Sequence, residues 1–312
     1  MTPAITIIGS LNMDFVVRVK ELPAPGQTVL GRNFMMTPGG KGANQACAAG
    51  RLGAGRVMVR MAGRVGYDLF ADHLRASLSA AGVDVAYVSG SKAQPTGVAL
   101  IWVDDAGENS IVVASGANLE LHASDIGSLR GALAGARFAM FQLETPLETV
   151  RAAMALAHEE SAQAILDPAP AQPLSRELLE LADILTPNET EALALLGLPR
   201  ARVRLGDAPA LARSLRELGA RAVVLKLGDQ GCLFDDGNRQ IHCPAFPVEA
   251  RDTTAAGDVF NAALAVALAE GKPIQQALQF ACAAAAVSVT RPGAQASIPT
   301  RAEVEHFLSG GE

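Results

Sequence analysis

Asp252–Asp258 reads DTTAAGD, two acids bracketing small residues, immediately before a strongly helical stretch, VFNAALAVALAEG. The first N–H groups of a helix have no acceptor of their own, and small residues at Ala255, Ala256 and Gly257 let an anion approach them closely. The helix macrodipole adds roughly half a positive charge at that end. A phosphate fits such a place, with Asp258 beside it to accept a proton from an incoming hydroxyl. The same pattern also describes an ordinary helix cap with an acid in its first turn, and alone it does not choose between the two.

Other polar groups fall where ligands are held. In TPGGKGANQA (37–46), two glycines precede a helix of small residues, so a ligand can lie against bare backbone at Gly40 with Lys41, Asn44 and Gln45 as donors. The Walker pattern GxxxxGK[ST] is absent there. GSLNMD sets Asn12 and Asp14 just past the first apolar run, where open α/β sheets bind ligands. Residues two apart face one side of an extended chain, and an Asp suits paired sugar hydroxyls. No GxGxxG follows this strand, which argues against a dinucleotide site. Glu144 follows FAMFQ in a comparable position. TPNETE spaces Asn188 and Glu191 as a capping box does, or as groups that organise a Mg²⁺ shell through waters. KLGDQG (226–231) is a glycine-bearing turn after a strand, suited to nucleotide contact or to a plain hairpin. Each segment has a structural reading of its own, as a loop cap or as close helix–strand packing.

The elements that must position these groups alternate along the chain. Apolar, β-branched runs predict strands at Ile5–Gly9, Val57–Met61, Phe138–Gln142, Ala164–Asp167, Ile184–Thr186 and Ala222–Leu227. Helical periodicity covers Gly40–Gly53, Tyr67–Ala81, Leu147–Glu159, Glu189–Leu196 and Ala208–Leu218, then about Gly257–Glu270, Ile274–Thr290 and Arg301–Leu308. Gly97–Val103 with Ser110–Ala114, and Cys232–Asp235 with Arg239–Cys243, read as hairpins. Such alternation implies a mostly parallel sheet covered by helices on both faces. No linker or internal repeat divides the 312 residues, so one α/β domain (1–312) with a small β appendage from 13–37 and 95–115 is expected.

Composition removes several alternatives. A net charge of −6 argues against a nucleic-acid partner, which needs a basic face. No apolar run approaches the roughly 18–20 residues of a membrane span, and MTPAITIIGS has no basic n-region for a signal peptide. The four cysteines (47, 232, 243, 282) lie far apart with no CxxC, and none of the five histidines stands at ligand spacing. A reducing, cytoplasmic setting and no protein-built zinc site are therefore expected.

Taken in order, GSLNMD, PGGKGANQA, AGRVGYDLF, TGVALI, GEN, QLE, DPAPA, TPNETEA, LGDQG, DTTAAGDVFNAAL and VTRPGAQASIP resemble the ribokinase-like (PfkB-type) carbohydrate kinases nearly end to end. The resemblance implies a three-layer α/β/α fold with a small β-sheet lid, ATP as phosphoryl donor and Mg²⁺ with it. GGKGANQ, QLE and PNETEA point within the family to phosphorylation of D-ribose at O5. By resemblance, Asn12, Asp14, Gly40, Lys41, Asn44 and Glu144 hold the pentose and Asp258 is the general base, with Ala255, Ala256 and Gly257 forming the anion hole. Asn188, Lys226, Gly228, Gly231, Ala256, Gly257 and Cys282 fall at the nucleotide site, and Glu191 in the Mg²⁺-related motif. Asp252, Thr254, Ser288, Arg291, Gly293 and Ser297 match loops that hold an activating monovalent cation, typically K⁺. Family members often pair through their lids, so a homodimer is expected.

This chain departs from the family pattern at three positions. Ala255 replaces the first Gly of the common GAGD, which matters only if position 255 needs positive φ. Cys282 stands where an adenine-packing His or Asn is frequent. Lys226 stands where a small residue such as Thr is usual, within reach of a phosphate. Two other readings stay open: a family kinase acting on 2-deoxyribose, fructose or a nucleoside, and a non-catalytic sugar or nucleotide sensor. One Trp and 2 Tyr leave few candidates for the aromatic wall a nucleoside base would want.

Overall fold

The structure, a computed structural model, describes residues 2–310. Strand β1 (Ala4–Ile8) is buried at every position, as a central parallel strand must be. The chain then leaves the large sheet to pair β2 (Asn12–Arg18) with β3 (Arg32–Gly39) and returns through helix α1 (Lys41–Gly53). β4 (Met58–Val65), α2 (Leu69–Ala80) and β5 (Val83–Gly90) follow. A second excursion forms the hairpin β6 (Gly97–Val103) and β7 (Asn109–Ala114). Turns of 3₁₀ helix and the one-turn α3 (Arg130–Leu133) lead to β8 (Ala136–Phe141).

From there strands and helices alternate as the periodicity predicts, with one short addition, a single helical turn at Arg176–Leu179, too brief to show a period. α4 (Leu147–Glu159), β9 (Gln163–Leu166), α5 (Arg176–Leu179), β10 (Ile184–Leu185) and α6 (Glu189–Leu195) come first. α7 (Ala208–Glu217), β11 (Ala222–Lys226), and the antiparallel pair β12 (Cys232–Asp235) and β13 (Gln240–Cys243) follow. α8 (Ala256–Ala269), α9 (Ile274–Val289) and α10 (Arg301–Leu308) complete the described chain.

Nine strands form one sheet in the order β13-β12-β11-β10-β9-β8-β1-β4-β5, parallel except at β12 and β13. Alternate strand residues feed two apolar layers. Ile5, Ile7, Met61, Met140 and Val224 pack with α1, α2, α8, α9 and α10, whereas Ile8, Phe141, Leu166 and Leu225 pack with α3 through α7. The period of two along each strand thus supplies both faces of a three-layer α/β/α arrangement.

The second sheet has the order β3-β2-β6-β7. It is anchored where Phe15 meets Phe70 of α2 edge to face, ring centroids 5.5 Å apart. Further out, Phe34, Met35, Met36, Leu100, Ile111, Val112 and Val113 are exposed.

Two strands carry no clear sequence signal. β5 is an edge strand whose VDVAYVSG mixes exposed and buried positions. β3 ends in Thr37-Pro38-Gly39, and Pro38 is tolerated because β3 is also an edge.

Candidate active site

A row of polar residues stands at the carboxyl ends of neighbouring parallel strands: Ser10 after β1, Gln142 and Glu144 after β8, Asp167 after β9, Asn188 after β10 and Lys226 at the end of β11. The N-termini of α1 and α8 face this row. Asn44 Nδ2 donates to Asp258 Oδ2 over 3.1 Å, and Gln45 Nε2 donates to Asp258 Oδ1 and to Asp167 Oδ2, each over 3.0 Å. Lys226 Nζ reaches Asp167 Oδ1 at 3.2 Å. Asp258, Asp167, Asn44 and Gln45 are all buried.

Gly40 opens α1 at φ 86°, and a Cβ there would lie 2.7 Å from the Asn12 backbone nitrogen. Only glycine allows that approach. At Gly39 a Cβ would overlap the Asp14 carboxylate, 2.0 Å from Oδ2. Hence β2 and β3 can press Asn12 and Asp14 against the start of α1. Asn118 fixes Asn12 from the far side, donating from Nδ2 to Asn12 Oδ1 at 2.7 Å and accepting from Leu11 N–H at 2.9 Å. Glu144 accepts from the Lys41 N–H at 3.0 Å and from the Ser10 hydroxyl. The expected sugar-end residues Asn12, Asp14, Gly40, Lys41, Asn44 and Glu144 are therefore brought together around Asp258.

At the other end, α8 begins at Ala255 in the left-handed conformation, φ 61° and ψ 7°, and no side chain caps the helix. The Ala256 N–H donates to the Thr253 carbonyl at 3.2 Å, and the N–H groups of Gly257 and Asp258 are left to an outside acceptor. The substitution in the GAGD pattern thus falls where glycine is the unstrained choice. Next to Gly257, the Lys226 ammonium lies 3.4 Å from where a Cβ would be. One cation and one uncapped helix end share a small space.

Electrostatics at the centre follow from burial and crowded carboxylates. Burial raises Asp258 to about 6, Lys41 opposing and Asp167 adding to the effect. Burial, then the charges of Glu144 and Asp258, push Asp14 to about 7. Burial works against the Lys41 charge, but Asp258, Asp167, Glu144 and Glu191 outweigh it and hold the ammonium above its ordinary value. Acids pushed toward neutrality beside a firmly protonated amine suit proton transfer near neutral pH.

Asn188 and Glu191 do form a capping box. Glu191 N–H donates to Asn188 Oδ1 at 2.8 Å, and Asn188 donates from its backbone N–H to Glu191 Oε2 at 2.7 Å. Glu191 remains buried close to the charges of Lys226 and Asp167, burial raising it above the ordinary carboxylate value. Gly228 and Gly231 bound a tight turn, both at positive φ. Cys282, on α9, is buried against Cys232.

Asp252 joins two loops. Its Oδ1 accepts from Thr254 N–H at 2.9 Å, and its Oδ2 from Gly293 N–H at 2.7 Å. Burial opposes its ionisation, yet these hydrogen bonds hold it below the ordinary value. The Ser288 and Ser297 hydroxyls turn back to carbonyls of their own segments. The Arg291 guanidinium turns to Glu303 at 2.6 Å.

Asp167, Ser10, Asn118 and Gln142 were not singled out by the sequence. Asp167 was legible by the rule that found Glu144, since it too follows a strand. Asn118 lies in a 3₁₀ turn 106 positions from Asn12, with no local signal.

Residues 2–301 match the pfkB family carbohydrate kinase description. The chain belongs to this family. It is 41% identical over 308 residues to the ribokinase of Haemophilus influenzae, covering 99% of each chain. The ribokinase structure of Thermotoga maritima is similar at TM-score 0.89 and 40% identity, over 98% of this chain and 99% of that one. A ribokinase of Arabidopsis thaliana, solved with ribose and ATP, is similar at TM-score 0.88 and 32% identity, over 99% of both chains. The pfkB-family chain described here is thus a sugar kinase, and none of its described helices is long and apolar enough to cross a membrane.

Proposed function

We propose that this sugar kinase transfers the γ-phosphoryl group of ATP to O5 of D-ribose, with Asp258 as general base. The observation that carries the reading is the buried Asp258, bonded to Asn44 and Gln45, at the uncapped start of α8. Asn12, Asp14 and Glu144 supply acceptors for sugar hydroxyls on one side, and the 255–258 backbone receives the transferring phosphoryl on the other. Whole-length similarity to ribokinases supports the choice of sugar.

In-line attack by the sugar hydroxyl passes through a loose, metaphosphate-like transition state, so the proton leaves late and positioning supplies most of the rate. Asp258, held near pKa 6, accepts that proton as the new P–O bond forms. Backbone N–H groups at 257 and 258 and the Lys226 ammonium neutralise charge on the phosphoryl oxygens. Asn188, Gly228 and Gly231 line the nucleotide side, and Lys41 sits between sugar and phosphate. Asp167 and Glu191, both buried carboxylates, suit Mg²⁺, a hard cation that takes oxygen ligands directly or through water. Mg²⁺ would supply charge neutralisation for the phosphates.

Asp252 ties Thr254, by its N–H and hydroxyl, to Gly293, and with backbone carbonyls of these loops its carboxylate would offer an oxygen donor set that suits K⁺. Such an ion would stiffen the approach to Ala255. The second sheet acts as a lid over the sugar, excluding water that would otherwise accept the phosphoryl group. Its exposed apolar face is covered by a second copy of the chain. Light scattering at micromolar concentration should give a dimer, and a clean monomer would remove that part of the reading.

A coupled ADP-release assay over ribose, 2-deoxyribose, fructose and nucleosides, with and without K⁺, tests the whole. Ribose should give the highest kcat/KM and K⁺ should raise it. Preference for another sugar replaces the substrate, and no sugar-dependent turnover leaves a sensor.

A further inference from the structure

Three of the four cysteines, two from one hairpin and one from a helix, converge at one corner of the large sheet. Cys232 of β12 and Cys243 of β13 are cross-strand partners, and Cys282 comes down from α9 onto the same face. Their sulfurs all lie within 4.8 Å of one another, with Cys232 and Cys282 3.7 Å apart. The fourth, Cys47, lies on α1 outside this group.

We propose that Cys232, Cys243 and Cys282 form a site for one thiophilic d¹⁰ cation of the Zn²⁺ or Cd²⁺ kind. With metal–sulfur bonds of about 2.3 Å, sulfurs around one ion sit about 3.8 Å apart in tetrahedral geometry and about 4.0 Å apart in trigonal geometry. The 3.7 Å between Cys232 and Cys282 is close to those values and the other pairs lie within 4.8 Å, so a small inward shift of the sulfurs completes the site. Soft thiolates select this class of ion over Mg²⁺ or K⁺. All three are buried, Cys232 fully and Cys243 and Cys282 at 8% and 7% exposure, so an ion here would be shielded from bulk water. Binding expels the thiol protons. Three thiolates around one divalent ion leave one net negative charge.

Packing of small apolar side chains is the competing account. It explains burial, but it does not require three sulfurs from three elements to meet at one point. An ion here would clamp β12, β13 and α9 together, just beyond the Gly228–Gly231 turn. The site stands on sulfur geometry alone and does not depend on which sugar is phosphorylated.

Reduced full-length protein titrated anaerobically with Cd²⁺ should develop a thiolate-to-cadmium charge-transfer band that saturates at one ion per chain. Cys232→Ser and Cys243→Ser should each weaken binding at least tenfold, while Cys47→Ala leaves it unchanged. X-ray absorption of the Zn²⁺-loaded protein should show three sulfur neighbours at about 2.3 Å. Should the serine variants fail to fold, wild-type protein still decides, because bound Zn²⁺ should slow alkylation of Cys243 and Cys282. No saturable band, a band that survives in the Cys232→Ser/Cys243→Ser double variant, or zinc held only by nitrogen and oxygen overturns the proposal.

Discussion

The two sheets spend their side chains in opposite ways. The nine-stranded sheet buries both faces, so its strands are apolar and its polar residues are confined to the carboxyl ends, where Glu144, Asp167 and Lys226 gather. The four-stranded sheet contributes only the root of β2 and the end of β3 to the site, then runs outward until every residue of β7 is exposed. Packing on both faces fixes these side chains and excludes water around Asp258, whose pKa burial raises; Asp14, at the root of the small sheet where it meets this row, is raised for the same reason. The small sheet instead leaves apolar side chains such as Phe34, Ile111 and Val112 exposed.

Breaking the large-sheet side of this contrast should have the largest effect. Asp258→Asn is expected to lower kcat by about 10²–10⁴ with little change in sugar KM, measured by steady-state kinetics. Near-normal turnover would remove Asp258 as base. Next is Asp14→Asn at the root of the small sheet, which should raise the ribose KM roughly tenfold to a hundredfold, a loss of about 1.5–3 kcal/mol from hydrogen bonds to a charged group. A kcat loss without a KM change would instead place Asp14 in the chemistry.

The pH dependence sharpens the contrast further. Both acids must be ionised to act, so kcat/KM should fall as pH drops through about 7 and about 6. Stability runs the other way. These native carboxyls keep protons that the unfolded chain has already released, so their contribution is favourable below the unfolded value of about 4 and is lost as pH rises through 6 to 7. Asp258→Asn should accordingly gain on the order of 1 kcal/mol at pH 8 and less at pH 5, read by urea denaturation. An equal gain at both pH values would locate the effect in packing.

Ala255→Gly should stabilise by about 0.5–1 kcal/mol, relieving the left-handed alanine at the start of α8. On the small sheet, Val112→Lys should change stability by less than about 0.5 kcal/mol. It should nonetheless give a monomer by light scattering; a persistent dimer would put the interface elsewhere.

Much of the architecture was legible locally. Alternating periodicity located the central strands and the three C-terminal helices, because an element buried on a defined face must repeat its apolar residues at its own period. β3 and β5 were not legible, since both are edges of mixed residues and, unlike the edges β7 and β13, neither follows its partner strand through a short turn that marks a hairpin. In the site, Asp258 with Asn44, and Asn12 with Asp14, were visible as residue types beside helix or strand ends. The bond between Asn44 and Asp258 spans 214 positions, and no local pattern encodes it.

The sequence by itself determined the element types, the glycines that open α1 and the acid at the start of α8, because these follow from backbone sterics and short-range spacing. Tertiary structure alone decided three things: that Asp167, Gln45 and Lys226 share one network with Asp258, that Ala255 adopts positive φ, and that three scattered cysteines meet. Crossover connections bring these residues to adjacent strand ends or to one sheet face, and proximity set by sheet order is invisible to any window along the chain.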